Sequence, residues 1–208
     1  MSAEPAVLGF KTEELIQRHD PRGRLANYLM FLGAENQKVN LVSRETGRRG
    51  MMRLIAESLL PLEIIDGSAV SSYLDIGSGG GLPAIPLVLS GRLAVVPDRR
   101  PVLCERRQKK AAALRRICIN LGLRVDIVAE SIEQASITET FDLITLRAVK
   151  LTPQFMVAVE PLLSEEGVLI YWDRVDFELG HDSIQSRQLA YQLDNQDPER
   201  IITTFSRK

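Results

Sequence analysis

Hydrophobic positions in the first third of the chain recur at helical spacing. Leu25, Tyr28, Leu29 and Leu32 fall at i, i+3, i+4 and i+7, which places one apolar stripe on a helix surface. Thr12 to Leu32 reads as two short helices. Thr12 is positioned to cap the first, whose apolar pair is Leu15 and Ile16, and Asp20-Pro21 to open the second. A third helix is expected near Met51 to Leu62, with Met51, Ile55, Ser58, Leu59 and Leu62 facing inward. The first ten residues read as a loose lead-in, and Asp66-Gly67-Ser68 breaks the chain.

From Val70 onward, strand-like and helix-like runs alternate, which predicts an α/β fold: a parallel sheet with helices on both faces. The strand runs are Val70 to Ile76, Pro101 to Cys104, Val125 to Ala129, Phe141 to Leu146 and Gly167 to Trp172. The helical runs are Leu82 to Leu89, Arg106 to Leu121 and Pro153 to Leu163, with Gly91 to Arg100 a loop. Arg187 to Leu193 and Ile201 to Phe205, joined by Asp194-Asn195-Gln196-Asp197-Pro198, form an expected antiparallel hairpin closing one sheet edge. The expected organisation is therefore a small N-terminal helical extension over residues 1–66, packed on a main domain over residues 67–208.

Composition changes this picture little. At 208 residues, 45% hydrophobic and 25% charged, the chain has the make-up of one globular α/β domain with an appendage. No apolar run reaches membrane-spanning length, and no basic segment precedes an apolar one at the amino terminus, so a cytoplasmic protein with no membrane partner is expected. Cys104 and Cys118 lack metal-like spacing, and His19 and His181 stand alone, which predicts neither a metal site nor a histidine-based triad. The net charge of −1 means that nucleic-acid binding would have to come from local clusters. Two exist: Arg44, Arg48, Arg49 and Arg53, and Arg106, Arg107, Lys109, Lys110, Arg115 and Arg116. Charge runs on helices are usually solvated faces. Two clusters flanking the carboxyl ends of the predicted strands, where ligands bind in such sheets, shift the reading towards RNA.

The chemistry concentrates in Tyr73-Leu74-Asp75-Ile76-Gly77-Ser78-Gly79-Gly80-Gly81-Leu82-Pro83, where a strand ends on an acid, a glycine loop follows and a helix opens. Glycines allow the sharp turn and let a ligand lie against the main chain, while the helix start presents free N–H groups to an anionic group. Dinucleotide sites read Gly-x-Gly-x-x-Gly, whereas this loop reads Asp75-x-Gly77-x-Gly79-x-Gly81. A carboxylate before the glycines would repel a pyrophosphate and suits a ligand with an ammonium beside its carboxylate. The pattern resembles the first motif of class I S-adenosylmethionine-dependent methyltransferases, with their Rossmann-like sheet. Glu105, ending the second strand of the main domain, can accept both hydroxyls of a ribose. Ile132 and Glu133 follow the third strand, where adenine is usually recognised, and Arg147 ends the fourth.

The resemblance sharpens over a longer stretch. Asn40-Leu41-x-Ser43-Arg44, Arg53-x-x-x-Glu57-Ser58, Leu74-Asp75-Ile76-Gly77-Ser78-Gly79-Gly80-Gly81-Leu82-Pro83-Ala84-Ile85-Pro86-Leu87, Lys109-Lys110 with Leu114-Arg115, and Leu146-Arg147-Ala148-Val149 occur in this order. Together they are similar to the RsmG (GidB) family of bacterial methyltransferases acting on 16S ribosomal RNA. The resemblance implies methyl transfer from S-adenosylmethionine to N7 of a guanine, with 16S rRNA or the small ribosomal subunit as partner; a monomer is expected. It implies a cofactor site of Asp75, Gly77, Ser78, Gly79, Gly81, Leu82, Glu105, Ile132, Glu133 and Arg147. Gly77 and Leu82 would line its methionine and sulfonium end, and Arg147 would face the reacting centre as a positioning group without any general base. RNA contact would fall to Arg44, Arg53, Arg106, Arg107, Lys109, Lys110 and Arg200.

The chain departs from the family pattern at Leu54, where a histidine is usual, at Asp173, where a lysine is usual, and at Ile201, where a histidine follows the tail arginine. Leu54 and Asp173 suggest one alternative, a methyltransferase for another RNA base or a small molecule; from a different class, the chain could be a cofactor-binding, ribosome-associated module with little turnover.

Overall fold

The computed structural model describes residues 7–43, 45–96, 98–177, 183–195 and 199–208. One mixed sheet forms its centre, built in chain order from β1 (Leu8–Phe10), β2 (Tyr73–Ile76), β3 (Val102–Cys104), β4 (Asp126–Val128), β5 (Phe141–Leu146), β6 (Leu163–Tyr171), β7 (Ile184–Leu193) and β8 (Arg200–Arg207). Across the sheet the order is β1-β7-β8-β6-β5-β2-β3-β4. β8 is antiparallel to both its neighbours, and the other adjacent pairs are parallel. From β2 the chain steps outward through β3 to β4 and then returns to pair β5 on the opposite side of β2. This reversal opens a crevice at the carboxyl ends of β2 and β5, the usual binding position in such sheets.

The helices are α1 (Thr12–His19), α2 (Arg24–Asn36), α3 (Arg48–Leu59), α4 (Pro61–Ile64), α5 (Ala84–Ser90), α6 (Gln108–Asn120) and α7 (Pro153–Val159). Strand side chains alternate between faces, and the two cores follow that period. Tyr73, Leu103, Leu143 and Ile170 share one core with Leu15, Tyr28, Ile55, Leu87 and Leu114, so α1, α2, α3, α5 and α6 cover one face. Leu74, Ile76, Ile144 and Leu146 point the other way, into a core with Met156 and Val159 of α7. Helices lie on both faces, unevenly shared.

Several local expectations are corrected. The lead-in contains β1, which pairs with β7, so the β7–β8 hairpin is internal to the sheet at that end. Thr12 does not cap α1; its hydroxyl and N–H both donate to the Asp194 carboxylate, at 2.7 and 2.9 Å. Asp20 does open α2 as expected, accepting from the N–H groups of Arg24 and Leu25 at 2.8 Å each, although the helix itself starts four residues later. β2 begins at Tyr73 because the N–H groups of Ser71 and Ser72 turn to the Asp142 carboxylate instead of the ladder. α7 stops at Val159 and passes through a 3-10 turn at Glu160–Leu162 directly into β6. Arg44, His181 and part of the expected hairpin connection, residues 196–198, lie outside the described residues. Among those described, no helix is long and apolar enough to cross a membrane.

Candidate functional site

At the carboxyl ends of β2 to β5 lies a cavity of about 770 Å³, within the range of small-molecule and cofactor sites. Its wall is assembled from the glycine loop, the segments after β3, β4 and β5, and the chain around Leu41 to Thr46 with Leu54 of α3.

The loop is held from behind by main-chain bonds. The N–H groups of Gly77 and Ser78 both donate to the Cys104 carbonyl, at 2.8 and 3.0 Å, and the Gly81 N–H donates to the Ser78 carbonyl at 2.6 Å. Gly77 has φ +78°, and a Cβ there would stand 2.3 Å from Val149 Cγ2, so only glycine lets β2 and the end of β5 approach this closely. The residue before Val149, Ala148, itself sits at φ +57°, a conformation uncommon outside glycine that concentrates at functional sites.

Glu105 ties the loop to the next helix. Its Oε2 accepts from the Gly79 N–H at 2.9 Å and its Oε1 from the Arg107 N–H at 2.8 Å, just before α6. Each oxygen keeps a lone pair for a ligand hydroxyl. Ile132 is buried and Glu133 exposed on the cavity wall after β4, next to Glu130. Asp75 is placed differently. It is wholly buried and does not line the cavity; Thr145 Oγ1 donates to its Oδ1 at 2.5 Å, and its Oδ2 has no hydrogen-bond partner among the described residues. Burial pushes this carboxyl up to about 6, against the pull of the Thr145 and Ser78 hydroxyls.

Arg147 lines the cavity, but its guanidinium is already engaged. It donates to Glu57 Oε2 at 2.5 Å, to the Leu54 carbonyl at 3.0 Å and to Ser58 Oγ at 3.2 Å, and its Cζ lies 5.9 Å from the centre of the Trp172 ring. Arg200 Nη1 donates to the second Glu57 oxygen at 2.5 Å, and Trp172 Nε1 to the Glu57 carbonyl at 3.2 Å. Glu57, 1% exposed, therefore clamps α3 to β5 and β8.

The cavity thus gathers Gly77, Ser78, Gly79, Leu82, Glu105, Ile132, Glu133 and Arg147 from the expected site, together with Arg106, Arg107 and Lys110. Gly81, Lys109, Arg53 and Arg200 do not line it, and Arg44 is outside the described residues. A Cβ on Gly81 would stand 2.3 Å from Ile85 Cδ1, so this glycine serves the packing of α5. Residue-by-residue reading missed Leu41, Val42, Ser43 and Thr46, which no local chemistry marks as wall residues. Among the described residues, no cluster of three or more His, Cys, Asp or Glu could hold a metal ion.

A family model described as rRNA small subunit methyltransferase G (GidB) matches residues 22–196. The chain belongs to this family. It is 31% identical to the ribosomal RNA small subunit methyltransferase G of Laribacter hongkongensis over 185 residues, covering 86% of this chain and 85% of that one. Against the protein of the same name from Brachyspira hyodysenteriae it is 30% identical over 190 residues, covering 88% and 89%. Among solved structures, an O-methyltransferase from Bacillus cereus in complex with SAH superposes with a TM-score of 0.62 at 18% identity, covering 87% of this chain and 90% of that one. TomG from Streptomyces achromogenes, an O-methyltransferase in complex with SAM, gives 0.60 at 13%, covering 87% and 89%. These two likenesses establish the class I methyltransferase fold for a member of the rRNA small subunit methyltransferase G family.

Proposed function

We propose that the protein transfers a methyl group from S-adenosylmethionine to N7 of a guanine in 16S ribosomal RNA. Beyond family membership, one observation carries this reading: a glycine loop and a ribose-compatible carboxylate wall a cofactor-sized cavity whose rim bears Arg106, Arg107 and Lys110.

The residues present fit that cofactor. Gly77, Ser78, Gly79 and Leu82 would hold its amino-acid end, Glu105 its ribose, and Ile132 with Glu133 its adenine. Asp75, behind the loop, would contribute through charge on the ammonium side and not by lining the wall. When bound, the cofactor supplies an activated methyl on a sulfonium centre. Transfer would join the methyl to the N7 lone pair of guanine, with the C–S electron pair left on sulfur.

Guanine N7 carries no proton at neutral pH, so no general base is required, and alignment is the main demand on the protein. Such positioning can contribute about 7 to 11 kcal/mol. Electrostatics set the second demand, because both the donor and the methylated base are cationic. Glu105, Glu130 and Glu133 face the cavity, and Arg147, just past the end of β5, is neutralised by Glu57. Arg147 is accordingly a positioning residue, holding α3 against the cavity wall.

RNA contact would come from Arg106, Arg107, Lys109 and Lys110 at the start of α6, from Arg53 and Arg200, and from Arg44. Cations at a helix N-terminus oppose the helix dipole, an arrangement that a polyanion bound there would offset. An rRNA substrate and two free, buried cysteines support a cytoplasmic enzyme, and exposed large apolar side chains drawn from different elements, among them Met30, Val96 and Val157, support a monomer.

The decisive experiment is transfer of labelled methyl from S-adenosylmethionine to small ribosomal subunits lacking the modification, followed by mass mapping of the rRNA. Label at one guanine N7 is expected. Label on another base or only on small molecules would overturn the proposal in favour of the retargeted enzyme that Leu54 and Asp173 suggest, and cofactor binding without transfer in favour of the binding module.

A further inference from the structure

Charge is distributed very unevenly along this chain. Residues 91–126 contain ten Lys and Arg against three Asp and Glu, a net of +7, in a chain whose total is −1. The remaining residues therefore carry −8. The basic stretch runs from the loop after α5 through β3 and α6 to β4, so it connects the two ends of the sheet.

At the cavity end it begins with Arg106, Arg107 and Lys109, all exposed. α6 has 13 residues and so descends about 20 Å along the face. Near its end Arg115, also exposed, leans over the edge strand and donates to the Ile127 carbonyl of β4 at 3.1 Å. Beyond it, where Pro101 leads into β3 and Arg124 precedes β4, there is a second crevice of about 370 Å³. Its floor is apolar, from Val88, Leu93 and Val95, and its rim carries Arg99, Arg100 and Arg124, each exposed. Two acids accompany them: Asp126 pairs with Arg100 at 3.4 Å, and Asp98 is exposed on the same loop. Cations remain in excess.

We propose that this crevice is a second rRNA-binding site, at the opposite end of the sheet from the methyl-transfer cavity and joined to it by the basic face of α6. The deduction rests on the reading of the protein as an rRNA methyltransferase. An apolar slot ringed by guanidinium groups fits an unstacked base flanked by phosphates, since arginines bind phosphate and stack on base planes. Ribosomal proteins, themselves generally basic, do not complement such a rim. The site would engage RNA remote from the target guanine, contributing affinity for the assembled substrate without touching the chemistry.

The test compares the wild type with the triple variant Arg99→Ala, Arg100→Ala, Arg124→Ala, and with the reversal Arg99→Glu, Arg124→Glu, which keeps the Arg100 pair. Binding to small subunits is measured from 50 to 300 mM KCl, alongside cofactor affinity and methyl transfer to a short RNA bearing only the target hairpin. Three lost single-strand phosphate contacts should reduce the slope of log affinity against log salt by about 2. Cofactor affinity and transfer to the short RNA should stay the same, and the reversal should weaken subunit binding further. An unchanged slope in both variants overturns the second site. Because the readout is binding, it is independent of turnover: a wild type that binds with the expected slope but transfers no methyl would refute the methyltransferase reading and leave the RNA site standing.

Discussion

A half-buried guanidinium beside a cavity that handles cations calls for a carboxylate behind it, and Glu57 fills that role for Arg147. Glu57→Ala would leave the half-buried Arg147 without its counter-charge and release Arg200, a loss of about 3 kcal/mol, the low end for a buried pair. Thermal unfolding of a chain of this size should then drop by roughly 10 °C. Glu57→Gln keeps the shape but leaves the Arg147 charge facing the cavity, so calorimetric affinity for S-adenosylmethionine should fall even where the fold persists. Equal affinity in this variant would show that the charge is not felt there. Gly79 is the complementary case. A Cβ there would lie 3.8 Å from the Gly77 carbonyl and 4.0 Å from Glu105 Oε2, so the protein has room for it, although φ +54° adds about 1 to 2 kcal/mol of strain. Gly79→Val should therefore fold and lose cofactor binding; retained calorimetric affinity would remove the loop from the site. The strand-end residues Glu105 and Arg147 were legible because position alone marks them. The role of Glu57 was not, since nothing local to α3 announces partners 90 and 143 residues away.

At the scale of elements, the apolar stripe of α2 was readable from its spacing, but its partner was not. Tyr28 on that stripe reaches the glycine loop, where its hydroxyl donates to the Gly80 carbonyl at 3.1 Å. A Cβ on Gly80 would meet Leu32 at 2.7 Å and Leu41 at 3.2 Å. α2 thus braces the back of the loop whose front faces the cavity. Tyr28→Phe preserves the packing and leaves a buried carbonyl unpaired, a cost of about 1 to 3 kcal/mol. If the brace matters for function, cofactor affinity should fall severalfold in this variant, and hydrogen exchange at Gly81 and nearby amides should quicken. Loss of stability with no change in exchange at the loop would make Tyr28 a core residue only. The alternation of strands and helices after Val70 revealed the sheet. β1 stayed hidden because three residues give no period to read, and their pairing to β7 is fixed by contacts such as Asp194 N–H to the Phe10 carbonyl at 2.8 Å.

For the molecule as a whole, carboxylates of opposite behaviour set the response to pH. Hydrogen bonds from Arg116 and Lys38 hold Glu35 down at about 2, tying α2 to α6. Burial works against Glu63, Asp142 and Asp194, yet the donors around them, His19 and Arg18, Ser71 and Ser164, and Thr12, keep all three below the usual carboxylate range. Stability from such groups is fully present above their unfolded values, near 4, and is lost as pH falls through the folded ones. Asp75 has the reverse sign. Its folded value, about 6 against 3.8 for the free group, means that the folded state holds the extra proton across that interval, so stability declines as pH rises from about 4 through 6. A shift of about two units corresponds to roughly 3 kcal/mol. Chemical unfolding of the cofactor-free protein from pH 8 to pH 2 should therefore show stability rising towards about pH 4.5 and collapsing below 4. Asp75→Asn, which can still accept from Thr145, should remove the rise and keep the collapse. It should also be more stable than the wild type at pH 7, and weaker for S-adenosylmethionine if the Asp75 charge attracts the ammonium. A variant that retains the full rise would place its origin elsewhere and return Asp75 to an ordinary ionised residue.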